Sequence, residues 1–575
     1  MAYSYTDEYR RWHDNKNLEE TLRKDIDSID GNDDEIKKRF AAPLSFGTAG
    51  LRGIMQSGIC GMNIYTVAQA TEGVARLVKK NNGEKKGVVI ACDTRNNSEL
   101  FSRVSAGVLA ANGIKTYIFD APRPTPELSF ALRELGAIAG INVTASHNPK
   151  AYNGYKVYWD DGAQLSPDDA AVVAAEIAKT DIFSVVVADF DKAVADGIIE
   201  IIGRNIDEKF IGRVLAERID VDAIPKVADK FGVVYTPLHG TGAALVPETL
   251  EKAGIKHLYC VPEQMKPDGN FPTVRTPNPE NKDCFDLGIA LAKKHGCDLV
   301  IGTDPDADRT GIVVKNKSGE FVRLTGNQVG VLLCDYIITG RRNCGKLPAN
   351  ACVIKSIVST ELARKVCEKN GVTLMDVLTG FKFIGEKIKE FEANGNRDHT
   401  FIFGFEESYG YLAGTYARDK DAVGASLMIT EMAAHYAERG MTLYDAMEEV
   451  YEKYGFFAEK VVSIEMPGLD GKEKTAALMA SLRNDSPKTL GGTAVVSVAD
   501  YKSGRITSAD GSVSDTGLPT SDVLYFRLAD GSSVVIRPSG TEPKVKVYYM
   551  VSGREKNETN GRLAAYMKAF EEIVG

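Results

Sequence analysis

Ile141-Asn142-Val143-Thr144-Ala145-Ser146-His147-Asn148-Pro149 is the stretch on which the reading of this chain turns. The run from Gly136 to Val143 consists of small and β-branched residues interrupted only by Asn142, which predicts a buried strand. Asn148-Pro149 forbids its continuation. Ser146 is therefore expected to be exposed at the carboxyl end of a strand, where open α/β sheets place their ligands. It is the candidate nucleophile. A polar turn after any strand has the same local pattern, so the choice depends on what the remainder of the chain supplies.

Outward from Ser146 the chain alternates strand and helix. GVVIACDT from Gly87, a helix from about Ser98 to Asn112, KTYIFDA and the strand before Ser146 predict a largely parallel sheet covered by helices. NGYKVYWDDGAQLS reads as a hairpin turning at Asp161-Gly162. Ser166-Pro167-Asp168-Asp169 opens a helix that leads to the end of this domain near residue 205. A second unit runs through FGVVYTPLHG, a helix from about Ala243 to Ala253 and KHLYCV. Its Gly240-Thr241-Gly242 is no dinucleotide fingerprint, because Leu245 occupies the third glycine position. The strand CDLVIGT then delivers Asp304-Pro305-Asp306-Ala307-Asp308-Arg309, and a hairpin follows. Thr325 opens the helix of a third α/β unit containing VIKSIVS, LTGFK and HTFIFGFEES. Near residue 456 the pattern becomes strand, helix and several strands, with a hairpin at Asp530-Gly531 and a terminal helix from about Arg554.

The fold class is thus α/β: three successive mixed or parallel α/β domains and a smaller C-terminal α+β domain. The expected limits are 46–205, 206–322, 323–455 and 456–575, with residues 1–45 as a helical appendage carrying Leu18, Leu22 and Ile26 on one stripe. A length of 575 residues fits about four domains at roughly 150 residues each. A net charge of −9 without a basic block argues against nucleic acid or an anionic membrane as partner. With no signal-type apolar segment and no long apolar run, a cytoplasmic protein is expected. Nine cysteines without a CxxC pair read as reduced core thiols.

Four stretches carry chemistry. Asp304, Asp306 and Asp308 follow an apolar strand into a loop, and convergent carboxylates suit a hard divalent cation such as Mg²⁺. A calcium loop is excluded, because Arg309 and Lys315 stand where Gly and Glu are needed. A solvated acidic turn is the competing reading. FGTAGLRG (46–53) lets the backbone approach a ligand closely while Arg52 forks onto phosphate, or is an ordinary glycine-rich turn. GFEESYG (404–410) sets Glu406 and Ser408 on one side of an extended backbone, suited to sugar hydroxyls, or starts a helix. RPSGTEPK (537–544) describes an anion nest, or a decorated turn.

Taken together and in this order, TASHNP, DPDADR, GFEESYG and RPSGTEP make the chain resemble the α-D-phosphohexomutases, and within them the phosphoglucomutases, over essentially its whole length. The resemblance implies a heart-shaped, four-domain protein around a central cleft, in which a hexose 1-phosphate and 6-phosphate interconvert through a phosphoserine and a 1,6-bisphosphate. It implies that Ser146 is phosphorylated and, with Asp304, Asp306 and Asp308, ligates Mg²⁺. Arg52 and Arg309 match cations near the phosphoserine. Lys156 matches a lysine that helps move a proton, with His147 as the other candidate base. Lys382, Glu406, Ser408 and Lys420 match substrate-binding positions, and Arg537, Ser539, Gly540 and Thr541 match holders of the phosphate not being transferred. It also implies glucose 1,6-bisphosphate as activator, a phosphosugar substrate, and a monomer or weak homodimer. Phe381-Lys382 after Gly380, where dual-specificity phosphomannomutases tend to carry histidine, favours glucose. Phosphopentomutase and phosphomannomutase activities are the nearest alternatives. A metal-dependent sugar phosphatase with Asp304 as nucleophile, and a non-catalytic sugar-phosphate sensor, are the readings from other classes.

Overall fold

The computed structural model describes residues 3–574 apart from 49, 467–470 and 540–543. They form two compact units, Met1–Thr325 with Gly385–Asn396 and Ser408–Thr442, and Gly326–Ile384 with Arg397–Glu407 and Leu443–Gly575.

The charged N-terminus folds as three short helices, α1 (Tyr5–His13), α2 (Glu20–Asp27) and α3 (Asp33–Phe40). Of the expected stripe, Leu18 and Ile26 are buried and Leu22 packs beside them, but Leu18 precedes α2 instead of lying on it. These side chains join Tyr9, Trp12, Ile36 and Phe40 in a small core of their own that also takes up Ile182.

Next come β1 (Leu51–Ile54), α4 (Ile64–Lys80), β2 (Val88–Cys92), α5 (Ser98–Ala111), β3 (Thr116–Phe119), α6 (Thr125–Glu134), β4 (Ala139–Val143), β5 (Tyr152–Trp159), α7 (Pro167–Lys179), α8 (Phe190–Ala195) and β6 (Ile199–Ile202). The strands form one sheet in the order β1-β5-β4-β2-β3-β6. β4, β2, β3 and β6 are parallel, whereas β5 lies antiparallel between β4 and β1. Asp161-Gly162 does make a turn, with Gly162 at φ 88°, but the return amounts to a single bridge, Tyr158↔Gln164. β5 pairs instead with β4, the strand just before it, and with β1, about a hundred residues earlier. The helix capped by Ser166 ends at Lys179, and α8 and β6 fill the interval to residue 202. Sequence reading missed α6, whose first turn carries Pro126 behind the capping Pro124.

β2 is followed by a crossover to one side, to β3, and β4 by the return to the other, to β5. Their carboxyl ends therefore flank the point where the winding reverses, the usual crevice of an open α/β sheet. Ser146 follows β4, and Asp93 and Arg95 follow β2, at this point.

In the same unit, α9 (Arg204–Ala216) and α10 (Ala223–Val227) lead to β7 (Gly232–Thr236), α11 (Gly242–Lys252), β8 (His257–Cys260), α12 (Pro262–Met265), α13 (Asp286–His295), β9 (Leu299–Thr303), β10 (Thr310–Lys315) and β11 (Phe321–Arg323). The sheet order is β11-β10-β9-β7-β8. β9 is buried along its whole length and runs directly into Asp304.

The other unit holds a parallel arrangement of Thr373–Val377, Ala351–Ser356 and Thr400–Glu406. It also holds a C-terminal antiparallel sheet in which Phe456–Glu465, Lys544–Gly553, Ser533–Pro538 and Leu524–Leu528 are consecutive neighbours. The hairpin at Asp530-Gly531 forms, with Gly531 at φ 82°, and the terminal helix runs Lys556–Val574. All nine cysteines are free, and six are buried, but Cys344 is exposed at the end of a helix instead of lying in the core. Among the described residues no helix is long and apolar enough to cross a membrane.

Trp12 is fully buried at the centre of the N-terminal core. Trp12→Ala should cost about 3–5 kcal/mol, read as an earlier first transition in urea followed by tryptophan-independent circular dichroism.

Candidate active site

Ser146 lies three residues beyond β4 in a left-handed conformation, φ 50°. For a non-glycine residue this conformation costs roughly 1–2 kcal/mol, and local hydrogen bonds hold it. Its N–H donates to Thr144 Oγ1 at 2.8 Å, and Arg95 donates to its carbonyl at 2.5 Å. The same guanidinium donates to the carbonyls of Asn148, Pro149 and Tyr152. Arg95 is itself paired with Asp93 at 3.2 Å and stacked 5.0 Å from the Phe271 ring. One buried arginine thus gathers both ends of the serine turn.

Contrary to the expected exposure, Ser146 is only 3% accessible. The cause is the aspartate loop, which closes over it: Ser146 Oγ donates to Asp304 Oδ2 at 2.8 Å. Asp304 Oδ1 in turn accepts the N–H groups of Asp308 at 3.1 Å and Arg309 at 3.0 Å, so the loop is wound about this one carboxylate. Gly240 lies against Pro305 so tightly that an added Cβ would come 2.4 Å from its Cα. Thr241 N–H donates to the Pro305 carbonyl at 2.8 Å.

The three carboxylates are buried and offer ligand oxygens that all lie within 4.8 Å of one another. Charges about 5 Å apart repel by roughly 3 kcal/mol per pair at an effective dielectric of about 20. Burial and its two neighbours push Asp304 well above the usual carboxylate range. Asp306 is instead held far below it by Lys156, against the pull of burial. Lys156 Nζ lies 2.8 Å from Asp306 Oδ2 and 3.4 Å from Asp308 Oδ2, and Lys420 Nζ lies 3.2 Å from the latter. Lys420 also meets Asp419 at 2.7 Å, and Asp419 accepts from Tyr158 at 2.8 Å. Even so, Asp306 Oδ1 and Asp308 Oδ1 are buried with no hydrogen-bond partner. Two buried oxygens without hydrogen bonds, that of Asp308 with only Arg309 Nε at 3.8 Å, beside a third carboxylate are what a hard divalent cation would satisfy, and the residues present fit such an ion.

His147 is half-buried, with Nδ1 3.1 Å from Ser146 Oγ. Burial, then Arg309 and Arg52, push its pKa well below the usual value. Arg52, on the exposed edge of β1, donates to Asn148 Oδ1 at 3.1 Å. Gly50 just before it needs to be glycine, since φ is 75° and a Cβ would lie 1.8 Å from the Tyr155 carbonyl oxygen. Arg309 donates to Glu280 Oε1 and to the Ser408 carbonyl, both at 3.2 Å.

The first unit therefore gathers Ser146, His147, Lys156, Arg52, Arg309, Lys420, the three aspartates and the Ser408 backbone. Residues 407–409 form a turn with Tyr409 at φ 68°, so Glu406 and Ser408 do not share an extended backbone. Glu406 closes its strand in the second unit and accepts the Gly380 N–H at 2.7 Å. Lys382 stands two residues later, with its ammonium 4.8 Å from the Phe383 ring. Arg537 and Lys546 face each other across the C-terminal sheet, and their charges partly offset the rise that burial and Glu406 impose on Glu407. Ser539 N–H donates to the Lys544 carbonyl at 2.8 Å, whereas Gly540 and Thr541 lie outside the described residues. Asp93, Arg95, Asp419 and Tyr158 were not anticipated; DTRNNS carries no spacing that singles out an arginine clamp.

Four domain models match the chain in order: the phosphoglucomutase/phosphomannomutase α/β/α domains I, II and III at residues 43–182, 208–319 and 325–454, and the C-terminal domain at residues 479–565. The chain belongs to the phosphoglucomutase/phosphomannomutase family. A Staphylococcus epidermidis protein named phosphoglucomutase is 38% identical over 93% of this chain and 95% of its own. A Staphylococcus aureus phosphoglucomutase is 36% identical over 93% and 94%. The fold is shared with a Paramecium phosphoglucomutase, parafusin, at TM-score 0.69 and 18% identity over 93% of this chain and 95% of that one. It is also shared with a phosphoglucomutase/phosphomannomutase family protein of Burkholderia thailandensis, at TM-score 0.65 and 17% identity over 92% and 97%.

In this family member the serine turn hangs on Arg95. Arg95→Lys keeps the charge but loses the fork, and displacing the serine should lower kcat about 10- to 100-fold, with KM nearly unchanged in steady-state assays.

Proposed function

We propose that the protein is a phosphoglucomutase, an isomerase that interconverts glucose 1-phosphate and glucose 6-phosphate through phosphorylated Ser146 and a glucose 1,6-bisphosphate intermediate. The observation that carries this reading is the Ser146 hydroxyl held 2.8 Å from Asp304 beside a carboxylate cluster with two unsatisfied oxygens. Relatives named phosphoglucomutase over nearly the whole chain favour glucose over mannose or pentose phosphates. An aspartyl phosphatase is disfavoured, because the relatives matched over nearly the whole chain are named phosphoglucomutase.

Asp304, Asp306, Asp308 and the serine oxygen would hold Mg²⁺, which when bound supplies positive charge to the transferring phosphoryl oxygens. Arg52, Arg309 and Lys420 add fixed positive charge around the same position. His147, with Nδ1 3.1 Å from Ser146 Oγ, takes the proton of the attacking sugar hydroxyl and hands it to the serine oxygen as the phosphoryl group leaves, and the return transfer runs the same path backwards. Lys156, whose ammonium lies 2.8 Å from Asp306 Oδ2, is the other candidate for moving the proton. Glu406, Lys382 and the Ser408 turn bind sugar hydroxyls, while Arg537, Ser539, Gly540 and Thr541 hold the distal phosphate in both substrate orientations. Glucose 1,6-bisphosphate as activator, a cytoplasmic location and a monomer or weak homodimer complete the proposal.

A coupled assay with Mg²⁺ and catalytic glucose 1,6-bisphosphate should give turnover with glucose 1-phosphate at least about tenfold above mannose and ribose 1-phosphates. Ser146→Ala should be inactive with all three. Release of inorganic phosphate without isomerisation, or full activity of Ser146→Ala, would contradict the assignment.

A further inference from the structure

We propose that Thr125 is a positioning residue that aims Asp306 at the divalent cation, an inference that rests on reading the three aspartates as a cation site. Thr125 opens α6 between Pro124 and Pro126, which leave its backbone little freedom, and it is fully buried. It grips Asp306 at two points. Its N–H donates to the Asp306 carbonyl at 2.8 Å, and its hydroxyl donates to Asp306 Oδ2 at 3.0 Å.

The direction of the second bond is fixed by a third residue. Asn142 Nδ2, which can only donate, lies 2.7 Å from Thr125 Oγ1, so the threonine hydrogen is turned towards Asp306. Asn142 sits on β4 directly opposite Lys156 on β5. The two neighbours thus reach the same oxygen, Lys156 directly at 2.8 Å and Asn142 through Thr125. With two donors on Oδ2, the carboxylate cannot rotate without losing both. Oδ1 is the oxygen left buried and without a partner, and it is the one presented to a cation. Groups that orient a ligand in this way commonly account for about 10- to 100-fold in metal affinity.

The test is calorimetric titration of Mg²⁺ into the full-length wild type, Thr125→Ser and Thr125→Val, with steady-state kinetics alongside. Thr125→Val keeps the shape and loses the hydroxyl, so Mg²⁺ should bind about tenfold or more weakly while KM for glucose 1-phosphate stays within about twofold. Thr125→Ser should bind Mg²⁺ as the wild type does. A wild-type isotherm for Thr125→Val, or equal weakening in Thr125→Ser, would overturn the inference. If Thr125→Val does not fold, Asn142→Leu frees the threonine hydroxyl instead and should weaken Mg²⁺ about threefold, and an unchanged isotherm overturns the inference in the same way. Absence of divalent binding by the wild type would remove the cation site itself, whereas normal wild-type binding with an unaffected Thr125→Val would remove only the role of Thr125.

Discussion

Burying three carboxylates in one loop is the constraint from which the first unit takes its form. Like charges at such separations cost several kcal/mol in a medium poorer than water, and they persist only where cations and donors are brought to them. The fold brings these from separate elements: Lys156 from β5, Lys420 from the segment before Ala422–Glu438, backbone N–H groups from the loop itself and the Ser146 hydroxyl from beyond β4. What these groups leave unsatisfied, Asp306 Oδ1 and Asp308 Oδ1, marks the place for a further positive charge. The antiparallel insertion of β5 between β4 and β1 acquires a reason in this light, since it sets Lys156 beside the serine strand.

The same constraint explains the strain. Ser146 and Ala307 both adopt positive φ, at 50° and 48°, at the tips of the two loops that meet. Such conformations persist where the surroundings over-determine them, and here the surroundings are the Arg95 clamp on one side and the Asp304 winding on the other. In the proposed reaction a phosphoryl group passing between Ser146 and a sugar hydroxyl would move within a field set by these fixed groups.

Much of this was legible in the residues. The strand ending at Val143 and the one ending at Thr303 show as buried runs because their length and their abrupt polar stops leave few other structures, and the triplet of aspartates after the second could be read as a cation loop. Helices at Ser98 and Gly242 likewise follow from periodicity and turn residues. What stayed hidden depends on pairing across the chain. Asp161-Gly162 marks a turn correctly, but nothing local says that β5 also pairs with the distant β1. The burial of Ser146 arises from a loop 158 residues away, so a reading of the local turn predicts exposure. Arg95 and Thr125 carry no motif of their own; their importance lies in the carbonyls and the carboxylate that tertiary folding places around them. Lys420 and Lys382 entered only through family resemblance, and the turn at 407–409 defeats the simple alternation inferred for Glu406 and Ser408.

The pairing of Ser146 with the aspartate loop is tested most directly by locating the phosphoryl group during turnover. Enzyme loaded with Mg²⁺ would be mixed with phosphorus-labelled glucose 1,6-bisphosphate, quenched in acid and mapped by peptide mass spectrometry. The label should appear on Ser146 as an acid-stable phosphate ester and chase into bisphosphate when unlabelled glucose 1-phosphate is added. Label on Asp304 as a hydroxylamine-sensitive acyl phosphate, or turnover with Ser146 never labelled, would contradict it.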